Sequence, residues 1–173
     1  MDFNSGPKST DEWSSPQAIV DICAQRWGPF DLDAAADETN AQAPAWINRF
    51  EDGLTRPWNG RVWLNPPWCR RKRMPIGPWI DKSVEEALSG RVALVCALVP
   101  ASVSTRWWHR LAANATRILL LKGRLRYGDG GSAKFGSCVA LLCPFGGPAR
   151  IDVWDPRAEI AAKKGAQHGG ATS

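Results

Sequence analysis

Long apolar runs are missing from this 173-residue chain. None approaches the roughly 20 residues that cross a bilayer, so no membrane-spanning helix is expected. The polar amino terminus carries no signal-peptide core. Histidine is scarce: His109 and His168 stand alone, which leaves no metal cluster and no Ser-His-Asp or Cys-His set. The five cysteines, Cys23, Cys69, Cys96, Cys138 and Cys143, are odd in number and lack metal-ligand spacing. Cys96 and Cys143 fall in apolar runs, so they read as buried thiols of a protein in a reducing cytoplasm. No Gly-x-Gly-x-x-Gly occurs, which removes the usual dinucleotide fingerprint. There are no internal repeats.

The length suits one domain with a proper core. Residues 1–157 are expected to form it, with 1–12 flexible and 158–173 a disordered, basic tail. Net charge is +5 but unevenly spread: residues 1–60 hold 4 Lys/Arg and 10 Asp/Glu, residues 61–173 hold 18 and 7. An acidic half beside a basic half points to a polyanion held by the second. Ten tryptophans are many for this length, and several sit in turns where a flat ring is available for stacking.

The sign change falls at Arg61-Val62-Trp63-Leu64-Asn65-Pro66-Pro67-Trp68. A β-prone run stops there in two prolines, which remove two backbone donors and fix two φ angles. Asn65, before a proline, is pushed towards an extended conformation. A rigid turn at the carboxyl end of a strand is expected, where open α/β sheets place ligands. The Asn65 amide oxygen and the Pro66 carbonyl suit the two hydrogens of an exocyclic base amine, with Trp68 stacked on the ring. A base presented this way has left its duplex.

Elsewhere, Ser15 is the expected N-cap of a helix with Pro16 in its first turn and Ile19, Val20, Cys23 and Trp27 on one face. Phe30 to Asp37 reads as a strand running into small residues. In the weakly periodic stretch 38–60, Trp46, Ile47 and Phe50 are the expected anchors. Residues 77–89 predict an amphipathic helix with Trp79, Ile80, Val84, Ala87 and Leu88 inward. Val92 to Val99 predicts a buried parallel strand. A helix over Ser104 to Asn114 follows, then a strand from Ile118 that continues through Lys122 to Tyr127. Cys138 to Leu142 pairs back and Ile151 to Trp154 adds an edge strand. Alternation of helix and strand favours a parallel sheet.

Asn-Pro-Pro-Trp resembles the catalytic Asp/Asn-Pro-Pro-aromatic tetrapeptide of amino-methylating DNA methyltransferases. Further stretches follow in one order: Glu12-Trp13-Ser14-Ser15-Pro16, Phe30 to Ala36, Asn40, Asp52-Gly53-Leu54, Trp58, Leu98 to Ala101 and Lys122 to Leu125. Together they are similar to the small phage-type DNA N6-adenine methyltransferases over roughly residues 11–145. The resemblance implies an α/β fold: an abbreviated Rossmann-like, S-adenosylmethionine-dependent methyltransferase sheet that ends in an antiparallel hairpin. It implies Asn65, Pro66, Pro67 and Trp68 as the catalytic set. Trp13, Ser15, Asp33, Ala34 and Asn65 are implied on the cofactor, S-adenosylmethionine. Ser15 stands where Thr is usual, and Trp68 where Tyr or Phe is usual. By itself, Asp33 reads first as a strand-end carboxylate capping a turn.

Double-stranded DNA is the expected partner. Arg70, Arg71, Lys72 and Arg73 follow the proline turn directly, and Lys122, Arg124 and Arg126 alternate on one face of the expected strand. Such cations meet phosphates or simply form a solvated surface. No separate target-recognition domain is evident, which leaves specificity to loops 69–76 and 128–136. Two other readings stay open: a basic module that holds nucleic acid without chemistry, and cytosine N4 as the target amine.

Overall fold

The computed structural model describes residues 14–67, 75–126 and 133–168. The flexible stretch expected over residues 1–12 lies outside them. Helix α1 (Gln17–Trp27) is followed by two short strands, β1 (Leu32–Asp33) and β2 (Ala45–Trp46), then by β3 (Gly60–Leu64). Helix α2 (Gly77–Leu88), β4 (Val92–Pro100), α3 (Arg106–Asn114) and β5 (Arg117–Leu121) alternate, before β6 (Ser137–Leu142), β7 (Arg150–Trp154) and α4 (Pro156–His168). The strands form one sheet in the order β2-β1-β3-β4-β6-β5-β7. Strands β2, β1, β3 and β4 run parallel, and β6 is antiparallel to both of its neighbours, β4 and β5. The expected α/β sheet with an antiparallel hairpin is therefore present, and β7 adds the expected edge, parallel to β5.

The period of two in the strands builds two cores. Val62 and Leu64 of β3, Val95, Ala97 and Val99 of β4, and Cys138, Ala140 and Leu142 of β6 face α2 and α3. The alternate residues, Trp63, Leu94, Cys96, Leu98, Val139 and Leu141, join Ile19, Val20, Ile22 and Cys23 of α1. This two-sided burial explains the unbroken apolar run of β4, in which every residue but Ala93 is buried.

Several expectations are corrected. Strand β1 holds only two residues of the eight-residue stretch Phe30 to Asp37. Leu88 is 56% exposed rather than inward. Trp46 and Phe50 are exposed, and Trp58, fully buried, is the anchor of that segment beside Ile47. Strand β5 ends at Leu121, and Gly123 turns the chain at φ +83°. Lys122, Arg124 and Arg126 therefore do not share a strand face. Pro16, not Ser15, occupies the N-cap of α1, without a side-chain cap. The Ser15 hydroxyl instead accepts the Trp63 indole N–H at 2.9 Å.

The tail expected to be disordered from residue 158 begins as helix α4, which runs to His168. Glu159 anchors it, accepting from Arg26 of α1 at 2.6 Å and from the Trp154 indole at 2.9 Å. Arg26 also lies over the Trp154 ring at 4.8 Å. Lys122 pairs with Asp155 at 2.9 Å.

Candidate active site

Strands β1 and β3 lie side by side, with Asp33 in register with Trp63. The Ala34 amide adds one more rung, donating to the Trp63 carbonyl at 3.1 Å. Beyond that rung the two strands part, and their carboxyl ends open towards the same side. Asn65, Pro66 and Pro67 leave the end of β3 outside any regular element. Pro66 is buried, whereas Asn65 and Pro67 are half-buried. The rigid corner expected at the carboxyl end of a strand is present.

A cleft of about 620 Å³ opens at this corner. Pro67 lines one side. Ala35, Ala36, Asp37 and Asn40, just past β1, line another. The loop that carries Asn48 to Leu54 closes the third, and Pro78 and Trp79 at the start of α2 form the back wall.

The walls are stiffened by short side-chain caps. Asp37 accepts the Thr39 amide and hydroxyl at 2.8 and 2.6 Å, and Asn40 accepts the Asp37 amide at 2.9 Å. Asn48 accepts the amides of Phe50 and Glu51 at 2.9 and 3.1 Å. Asp52 accepts the Leu54 amide at 3.0 Å and sits at φ +58°, in the left-handed region that Asp tolerates better than most residues. Gly53 permits a close approach. A Cβ there would collide with the Ala34 carbonyl oxygen and lie 2.9 Å from the Trp79 ring. The Trp58 indole donates to the Gly53 carbonyl at 2.9 Å from below.

Asp33 caps a turn, one of the two parts expected of it. It is 3% exposed and does not line the cleft. Its two oxygens accept the amides of Ala35 at 3.3 Å and Gln42 at 3.0 Å, which ties down both ends of the wall after β1. Burial pushes its carboxyl up to about 6, with the Gln42 and Ala35 amides partly offsetting that rise. A carboxyl so placed positions the loop. Ala34 is fully buried beneath the same wall. Ser15 is committed to Trp63 on the α1 face.

The residues expected to meet DNA divide in two. Trp68, Arg70, Arg71, Lys72 and Arg73 lie outside the described residues, as does the glycine-rich loop 128–132; so does Trp13, expected on the cofactor. Lys122, Arg124 and Arg126 are exposed and follow the carboxyl end of β5, at the same edge of the sheet as the proline corner. Three strand spacings separate β3 from β5, about 14 Å. Among the described residues no group of His, Cys, Asp or Glu is placed to hold a metal ion, and no helix is long and apolar enough to cross a membrane.

Sequence reading did not assign site roles to Asp37, Asn40, Arg49, Phe50 and Asp52. Their signal was turn chemistry: Asp-x-Thr, Asn-x-Phe and Asp-Gly each place a short acceptor two residues before a capped amide.

A parallel sheet with an antiparallel strand near one edge and a cleft at its carboxyl end defines a Rossmann-like methyltransferase fold. A candidate RNA methyltransferase from Pyrococcus horikoshii shares it, with a TM-score of 0.52 over 80% of this chain and 90% of that one, at 12% identity. The chain belongs to the DNA N-6-adenine-methyltransferase (Dam) family, whose model matches residues 4–139. A DNA N-6-adenine-methyltransferase of Escherichia phage T1 is 32% identical over 117 residues, 66% of this chain and 46% of that protein. One from Haemophilus phage HP1 is 27% identical over 120 residues, 68% of this chain and 66% of that protein. The chain thus spans about half the length of the first relative and just under two thirds of the second.

Proposed function

We propose that this protein transfers a methyl group from S-adenosylmethionine to N6 of adenine in double-stranded DNA. One observation carries the reading: Pro67 of the Asn-Pro-Pro corner and the carboxylates Asp37 and Asp52 line one cleft. Membership of the family and the names of the two phage relatives support it.

The lining fits the cofactor. Its volume lies in the range of small-ligand sites. Asp37 and Asp52 suit a ligand that carries an ammonium and a sulfonium, and Ala35, Ala36 and Leu54 offer apolar surface to an adenine ring. Asp37, Asn40 and Asp52 take the direct contacts first expected of Asp33, which instead holds their wall in place. When bound, S-adenosylmethionine supplies an electrophilic methyl group.

The chain's own work is then orientation, which contributes much of the rate when the reagent is already activated. The Asn65 side-chain oxygen and the Pro66 carbonyl accept the two amine hydrogens. This draws the nitrogen towards a tetrahedral, nucleophilic geometry. The prolines keep those acceptors from moving with the substrate. Trp68 stacks on the base, worth roughly 1–3 kcal/mol. The demethylated thioether, S-adenosylhomocysteine, is the leaving group, and the extra amine proton passes to solvent after transfer, so no separate base is needed. Arg70, Arg71, Lys72 and Arg73 hold phosphates beside the extruded base, and Lys122, Arg124 and Arg126 hold phosphates farther along the edge.

The test is to incubate the protein with duplex DNA and methyl-labelled cofactor, digest to nucleosides and identify the labelled product. N6-methyl-2′-deoxyadenosine is expected. Label on cytosine N4 moves the target to the other amine, and unlabelled DNA that is nevertheless bound leaves only a nucleic-acid-binding module.

A further inference from the structure

Phe50 is 85% exposed at the rim of the cleft, yet the loop that carries it is not loose. Asn48 takes its amide, and the capped turn at Asp52 fixes the chain on the other side. Gly53 then seats the loop against Ala34 and Trp79. An apolar ring held outward by three such devices is displayed by construction. The Arg49 guanidinium lies over this ring at 4.8 Å, and no carboxylate pairs with it among the described residues.

A cation stacked on an outward aromatic suits a strand of nucleic acid. The cation meets a phosphate, and the ring offers its face to any base, since every base has a π-surface. The cofactor's carboxylate and adenine are the competing partners for this pair, and titration with the cofactor distinguishes them. The cofactor's sulfonium and ammonium are drawn instead to Asp37 and Asp52, and it carries no phosphate. Phe50 and Arg49 also sit on the same cleft as Pro67, so a strand that delivers a base to the corner passes near them.

We propose that Arg49 and Phe50 form a second DNA contact, contributed by the acidic half of the chain: Arg49 meets a backbone phosphate and Phe50 stacks on a nucleobase exposed beside the target. The inference rests on the proposed DNA substrate and adds a contact that the basic half does not supply.

The test compares wild type with Phe50→Ala, Phe50→Leu, Phe50→Trp and Arg49→Ala. DNA affinity is read by fluorescence anisotropy on a labelled duplex with a mismatched adenine, and S-adenosylmethionine affinity by calorimetry. Phe50→Ala and Phe50→Leu are expected to bind DNA roughly 5- to 100-fold more weakly, with unchanged cofactor affinity, while Phe50→Trp binds like wild type. Arg49→Ala is expected to lower the salt dependence of DNA binding by about one phosphate contact. Unchanged DNA affinity in Phe50→Ala overturns the proposal. So does loss confined to cofactor affinity, which places the ring on the cofactor instead. Failure of the wild type to bind S-adenosylmethionine overturns the proposed function separately, because the DNA measurement does not use the cofactor.

Discussion

The Asp33 carboxylate accepts the Gln42 amide at 3.0 Å, and through that bond the end of β1 holds a loop nine residues away. The same carboxyl titrates at about 6 in the folded protein, against 3.8 for an exposed Asp, chiefly because it is buried. The fold therefore favours its protonated form. This contribution to stability is fully present below pH 3.8 and is lost as pH rises through 6. Its size is roughly 3 kcal/mol. Urea unfolding between pH 4 and pH 7 is expected to show that loss in the wild type and a flatter profile in Asp33→Asn. Parallel profiles for the two proteins contradict this account of Asp33.

Gly53 should not tolerate a side chain. Its added Cβ meets the Ala34 carbonyl, which is backbone, and the Trp79 ring, which is packed. Gly53→Ala is expected to lose about 1–3 kcal/mol of stability by overpacking. It should also weaken S-adenosylmethionine binding, because the cleft wall moves. Wild-type melting temperature and cofactor affinity in this variant would show that the close approach is not needed.

Asp52 combines a charge with a strained turn, and Asn separates the two. Asp52→Asn keeps an acceptor for the Leu54 amide and a residue that accepts φ +58°. It removes only the negative charge facing the cleft. Cofactor affinity is expected to fall about tenfold, with little change in thermal stability, as measured by calorimetry and thermal unfolding. Equal affinity at low and moderate salt removes Asp52 from the cofactor set.

Much of this site was legible because its key constraint is local. Two consecutive prolines after Val62-Trp63-Leu64 end a strand whatever surrounds them. The run from Val92 to Val99 likewise admits only a strand buried on both faces. Residues whose roles depend on distant partners were misread or read only in part. Asp33 was legible as a turn cap, but nothing in its neighbourhood announces that one of its partners is the Gln42 amide. Phe50 was expected as an anchor where Trp58 serves, since burial of Trp58 depends on the Gly53 carbonyl waiting for its indole N–H. The alternation of Lys122, Arg124 and Arg126 was real in sequence, but Gly123 at φ +83° ends the strand before it begins. Helix α4 was read as tail because its anchor, Arg26, lies 133 residues before Glu159.

The central claim is that the Asn65 side-chain oxygen works on the target amine at the moment of transfer. Single-turnover methylation of duplex DNA by Asn65→Ala, alongside calorimetric titration with S-adenosylmethionine, separates that role from binding. The expected result is a rate at least about 100-fold below wild type, the scale seen when one preorganised hydrogen-bonding group is lost from an active site, with cofactor affinity within about twofold. A wild-type transfer rate in Asn65→Ala would contradict the account.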